Sequence, residues 1–218
     1  MLKNAGTLLE YILDFIIPPR KDFDIVKKLN FEKISSLPKA PRVLGEDWIN
    51  PLLHYKDKRV KAIIWELKYR ENILPLEHLG KLIYEEIISE ISDILIFDND
   101  AEFILIPIPI TSQRRSERGY NQSELIARSI VENDIEHVLL YAPQWFSKIK
   151  ETPRQSHSQS KYERVMNLLD SFVADERVYG KYVILIDDVV TTGSTMLEAR
   201  KELLNKGVKK VLGFTIAH

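Results

Sequence analysis

Val183-Ile184-Leu185-Ile186-Asp187-Asp188-Val189-Val190-Thr191-Thr192-Gly193-Ser194-Thr195 is the stretch that decides how this chain of 218 residues folds. Four apolar residues run without interruption into two carboxylates. That is the pattern of a strand buried on both faces of a parallel sheet, ending where such sheets open a ligand crevice. Small hydroxylated residues surround Gly193, and a helix is predicted over 194–205. The first N–H groups of a helix have no partner within it, and its dipole favours an anion there by roughly 0.3–1 kcal/mol. Thr191, Thr192, Ser194 and Thr195 add hydroxyl donors. Gly193 lets backbone approach a phosphate closely, with a Cβ expected to project at the phosphate or the facing loop. With Val189 these residues form a candidate phosphate loop. Asp187 and Asp188, expected to be exposed at the strand end, suit ribose hydroxyls and, directly or through water, Mg2+.

The paired aspartates alone would fit an ordinary strand–turn–helix with a Ser/Thr cap. Apolar strand, acid pair and Thr-Thr-Gly-Ser-Thr in one unbroken run favour the phosphate loop. An apolar strand ending in Asp-Asp also suits a nucleoside triphosphatase, but that requires a G-x-x-x-x-G-K-[ST] loop. None of the eight glycines sits in one, so that class is excluded.

Outward from this stretch, strand and helix alternate. Residues 103–110 read as a second buried strand whose pairing ends at Pro107 and Pro109, since proline donates no ladder hydrogen bond. A polar loop is expected over 111–121, a helix over 122–132, a further strand within 138–146 and a last one over 208–216. Upstream, Val60, Ile63, Ile64, Leu67 and Lys68 share one side of a helix starting at Lys58, and a second helix is predicted over 74–92. The fold class is therefore α/β with a mostly parallel sheet flanked by helices. Prolines at 18, 19, 38, 41 and 51 break the earlier region. It reads as short elements wrapped on the main body, which divides the chain into an irregular extension over 1–57 and a domain over 58–218.

A net charge of −1 offers no global attraction to nucleic acid or an anionic membrane. With no cysteine, disulfides, thiolate zinc sites and cysteine nucleophiles are excluded, and a reducing, cytoplasmic setting is expected. The apolar run over 8–17 carries Glu10 and Asp14 and meets Pro18-Pro19, so it reads as a docking helix and not a signal peptide or membrane span. The five histidines show no pairing at metal-ligand spacing.

The decisive stretch resembles the signature of type I phosphoribosyltransferases. Pro107-Ile108-Pro109 with Arg114-Arg115-Ser116-Glu117-Arg118-Gly119-Tyr120-Asn121-Gln122-Ser123-Glu124-Leu125 is similar to a block of the ComF (competence protein F, amidophosphoribosyltransferase-like) family. Thr152, Gln155, Arg164, Asn167 and Phe172 match that family's spacing, and Lys68-Tyr69 its Leu-Lys-Tyr pattern. The resemblance covers about residues 55–218.

It implies a type I phosphoribosyltransferase fold, with Mg2+ as cofactor and catalytic roles for Asp187, Asp188 and Arg118. Arg118 would fork onto pyrophosphate beside Gly119, Tyr120, Asn121 and Gln122. Lys150, Arg154, Lys161 and Arg164 would belong to a mobile hood loop that closes over substrate and excludes water. The implied ligand is phosphoribosyl pyrophosphate or a nucleoside 5-monophosphate, with transfer to an unidentified acceptor. The alternative is a non-catalytic ribose-phosphate-binding adaptor in competence-type DNA uptake, with single-stranded DNA or competence proteins as partners. A homo-oligomer is compatible with either, and no membrane partner is expected.

One departure stands out. Family members usually carry a four-cysteine zinc module after a Pro-Pro pair, whereas Arg20-Lys21-Asp22-Phe23 follow Pro18-Pro19 here. Elemental analysis of the dialysed protein is expected to find no stoichiometric zinc; finding it would require a histidine–carboxylate site.

Overall fold

A computed structural model describes residues 21–43, 45–69, 75–150 and 169–218. Two short helices, α1 (Lys21–Val26) and α2 (Phe31–Ser35), precede strand β1 (Ile49–Leu53). Helices α3 (Lys58–Tyr69) and α4 (Leu76–Phe97) follow, then β2 (Phe103–Pro107), α5 (Ser112–Arg118), α6 (Gln122–Val131) and β3 (Leu139–Tyr141). A small antiparallel pair, β4 (Phe146–Lys148) and β5 (Phe172–Ala174), comes before β6 (Tyr182–Val189), α7 (Ser194–Asn205) and β7 (Lys210–Ala217).

The main sheet has the order β1-β7-β6-β2-β3, and every neighbouring pair is parallel. Strand β6 lies at its centre, with Ile184 opposite Leu105 on one side and Leu212 on the other. Successive side chains point to opposite faces. Ile184 and Ile186 join Leu105, Phe214 and the buried faces of α3, α4 and α6. Val183 and Leu185 join Ile104, Ile106 and Met196, Ala199 and Leu203 of α7. Both faces are covered, which is why the run is continuously apolar. Each such side chain contributes roughly 1.5–3 kcal/mol through burial.

Three local readings of the sequence are corrected. Residues expected to form a polar loop contain α5, started by Thr111, whose side chain accepts from the Arg114 N–H. The irregular region supplies β1, which pairs with β7 from Ile49 to Leu53. Pro51 is tolerated there because β1 is an edge strand. Helix α4 runs on to Phe97, five residues past its expected end, leaving Ile96 and Phe97 exposed. Among the described residues, no helix is long and apolar enough to cross a membrane.

Helices α4 and α6 cross at Gly80. A Cβ there would lie 2.6 Å from the Ser129 carbonyl oxygen and closer still to its hydroxyl, which itself donates to the Leu76 carbonyl at 2.7 Å. Backbone cannot yield cheaply at such a contact. Gly80→Ala is expected to lower unfolding free energy by about 1–3 kcal/mol in denaturant titrations; unchanged stability would mean the two helices are free to separate.

Candidate functional site

Strand β6 does not stop at its apolar residues. Asp187 and Val189 remain in register with Thr215 and Ala217 of β7, so the acid pair is carried by hydrogen-bonded sheet and not by a loose turn. Neither aspartate is fully exposed, contrary to the sequence expectation. Asp187 Oδ1 accepts from the Ser123 hydroxyl and from the Asp188 N–H, each at 2.9 Å. Asp188 Oδ1 accepts from the Val189 N–H at 2.7 Å. Its Oδ2 lies 3.0 Å from Lys68 Nζ.

These contacts set the electrostatics. Burial pushes the Asp187 carboxyl up to about 7, and the neighbouring Asp188 charge pushes the same way; the Asp188 N–H, Ser123 and Lys68 act against them. Burial works against the Lys68 ammonium, but Asp188 and then Asp187 outweigh it, and its pKa is raised.

Beyond the acids, the chain turns over Val190, whose N–H donates to the Ala217 carbonyl at 3.0 Å. Thr191 and Thr192 are exposed. The Thr192 and Ser194 hydroxyls lie 2.9 Å apart. Gly193 is the N-cap of α7 with φ 74° and ψ −5°, the left-handed conformation that a Cβ disfavours by roughly 1–2 kcal/mol. No side chain caps this helix; its first intrahelical bond from a backbone N–H to Gly193 O comes from Leu197. The N–H groups of Ser194, Thr195 and Met196 precede that bond, as an anion-binding helix start requires. One detail differs from expectation. A Cβ on Gly193 would meet Ile49 Cδ1 at 3.6 Å and Val190 Cγ2 at 4.0 Å, so it would point into the protein and not at a ligand or a facing loop. Glycine is needed here for backbone conformation.

The Arg-Gly-Tyr-Asn-Gln segment divides between structure and surface. Asn121 N-caps α6 and donates to the Ile108 carbonyl at 3.0 Å. Tyr120 donates its hydroxyl to the Leu67 carbonyl of α3 at 2.9 Å. Gly119 ends α5 with φ 84°. Arg118 is exposed at that end, with Nη1 3.5 Å from Gln122 Oε1, while Gln122 Nε2 is buried with no hydrogen-bond partner. Of the expected lid, Lys150 donates to the Leu169 carbonyl at 2.9 Å; Arg154, Lys161 and Arg164 lie outside the described residues.

The structure thus brings Asp187, Asp188, Ser123 and Lys68 into direct contact. The sequence reading singled out neither Ser123 nor Lys68 as a site residue. Lys68 did carry a signal: it is a cation on the apolar stripe of α3. No group of three or more His, Asp or Glu side chains that could hold a metal occurs among the described residues. The residues that could hold Mg2+ are Asp187 and Asp188, and such a site would need ligand phosphates and water for its other oxygens.

The phosphoribosyl transferase domain family matches residues 142–217, which include β6, the loop and α7. The competence protein ComFC of Bacillus subtilis is 27% identical over 178 residues, spanning 70% of this chain and 69% of that one. The DNA utilization protein YhgH of Salmonella typhi is 32% identical over 109 residues, 49% of this chain and 45% of that protein. ComFC of Streptococcus pneumoniae is 30% identical, with 53% and 48% covered. The match therefore spans about half the length of the last two relatives. Among solved structures, a hypoxanthine phosphoribosyltransferase from Staphylococcus aureus overlaps 64% of this chain and 61% of that one, at 10% identity and a TM-score of 0.41.

The Asp187 carboxyl provides a test. Its folded pKa lies above the unfolded value, so between about pH 4 and 7 the folded state holds more protons than the unfolded one. That stabilisation is complete below pH 4 and is lost as pH rises through 7. In chelator, the melting temperature is expected to fall from pH 5 to pH 8, and Asp187→Asn should flatten the fall. Equal slopes in both proteins would mean Asp187 is already ionised at pH 5.

Proposed function

For a chain that belongs to the ComF family, within the type I phosphoribosyltransferase superfamily, we propose recognition of a ribose 5-phosphate group as the function of the β6–α7 site. The ligand is phosphoribosyl pyrophosphate or a nucleoside 5-monophosphate. The observation that carries this reading is the acid pair held in the sheet directly before a left-handed Gly193 at the start of α7. The 5-phosphate lies on the N–H groups of Ser194, Thr195 and Met196, with the hydroxyls of Thr191, Thr192, Ser194 and Thr195 as further donors. Asp187 and Asp188 accept from the ribose hydroxyls. Asp187 and Asp188 would hold Mg2+, directly or through water, and the ion would supply positive charge towards pyrophosphate when that ligand is present.

In phosphoribosyl transfer the bond from C1 to pyrophosphate breaks, the sugar passes through an oxocarbenium-like centre, and an acceptor nitrogen bonds to C1. No covalent nucleophile is needed, in keeping with a chain that has no cysteine. The protein's share is to hold the ribose still. Arg118, at the exposed end of α5, is the guanidinium we assign to the leaving pyrophosphate.

A second reading is favoured by the names of the relatives, a competence protein and a DNA utilization protein. In it the site is a sensor within DNA uptake, binding the same ligand without turnover. Incubation of phosphoribosyl pyrophosphate with a panel of nucleobases and amines separates the two: a phosphoribosylated product supports the enzyme, and binding without product supports the sensor.

Calorimetry with Mg2+ is expected to detect phosphoribosyl pyrophosphate or a nucleoside 5-monophosphate. Gly193→Val, whose cost is backbone strain, should weaken binding roughly tenfold or more while the protein stays folded. The double variant Asp187→Asn with Asp188→Asn should weaken it as well. No heat and no thermal shift at millimolar ligand in the wild type would overturn the reading.

A further inference from the structure

Helix α3 points a buried stripe at the sheet, with Val60, Ile63, Ile64 and Leu67 all inside the core. Lys68 directly follows that stripe and ends 3.0 Å from Asp188 Oδ2. The two side chains are 32% and 16% exposed, which sets the pair apart from the solvated surface ion pairs worth almost nothing. Removing one member would leave the other partly buried and uncompensated.

The placement of Lys68 is fastened from two sides. The Tyr120 hydroxyl donates to the carbonyl of Leu67, the residue just before it. Ser123, three residues beyond Tyr120, donates to Asp187. Ammonium, carboxylates, α3 and the start of α6 therefore form one hydrogen-bonded assembly. Among the described residues, Lys68 is the cation paired with Asp188, whereas Arg115 pairs with Glu124 and Lys150 binds the Leu169 carbonyl.

A ribose-phosphate ligand brings negative charge to a place that already holds two adjacent carboxylates. Like charges in a partly buried crevice repel more strongly than in water. An ammonium in contact with Asp188 offsets one of them before any ligand arrives. We propose that Lys68 is a built-in counter-cation, a positioning residue that holds Asp188 and lets the site take a ribose 5-phosphate group without a divalent ion. This rests on the ribose-phosphate reading of the site.

The test is calorimetric titration with ribose 5-phosphate, in chelator and in saturating Mg2+, on the wild type, Lys68→Met, Lys68→Gln and Lys68→Arg, each with a melting curve. The wild type should bind under both conditions. Lys68→Met should lose about tenfold or more in chelator, the scale of one lost hydrogen bond to a charged group, and Mg2+ should recover most of that loss. Lys68→Arg should stay near wild type. Lys68→Gln, which keeps length and donors without charge, should follow Lys68→Met and carries the test if the methionine variant fails to fold. Equal loss with and without Mg2+, no loss, or wild-type binding that requires Mg2+ would each overturn the counter-cation role while leaving ribose-phosphate recognition standing. A wild type that binds under neither condition overturns both.

Discussion

Strand β6 is the constraint on which everything else in the molecule depends. It is hydrogen-bonded on both edges, to β2 and β7, and covered on both faces by helices. Nothing polar can sit within it without losing solvation, which costs several kcal/mol unless a partner replaces water. The two carboxylates therefore appear only where the strand reaches the end of the sheet. Even there each one takes protein donors: Ser123 and a backbone N–H for Asp187, Lys68 and a backbone N–H for Asp188. Strand termination and site chemistry are the same event.

Those donors come from far away in sequence. Lys68 lies on the third described helix and Ser123 at the start of the sixth, yet both converge on adjacent residues of β6. The Tyr120 hydroxyl bond to Leu67 ties their two segments together without involving the strand. A block that looks like a ligand loop thus spends much of its polar capacity on architecture. Asn121 caps a helix and straps Ile108, and Tyr120 holds α3. What remains directed outward is smaller: Arg118 at the end of α5, and the Thr191–Thr192 turn. The buried Gln122 Nε2, which has no hydrogen-bond partner, is the exception, a costly group beside the same loop.

By itself the sequence determined the elements with strong local signals. The apolar run into Asp187-Asp188, the hydroxyl-rich turn and the helix beyond Gly193 are legible because burial on two faces, a left-handed backbone and a helix start each demand particular residues at fixed spacing. Alternation of strand and helix likewise required a parallel sheet. The chain around 49–53 had no such signal: Asn50 and Pro51 interrupt it, and its strand character comes from pairing with β7 at the sheet edge. Which residues face the acid pair was also beyond sequence, since Lys68 and Ser123 reach it only through the packing of α3 and α6 on the sheet. Nor could sequence show that Asp187 and Asp188 are half-sheltered, or that a Cβ at Gly193 would point inward at Ile49. Local rules act through covalent spacing and are written in order along the chain. Ion pairs, burial and the direction of a side chain depend on neighbours brought from elsewhere, and only the tertiary structure supplies those.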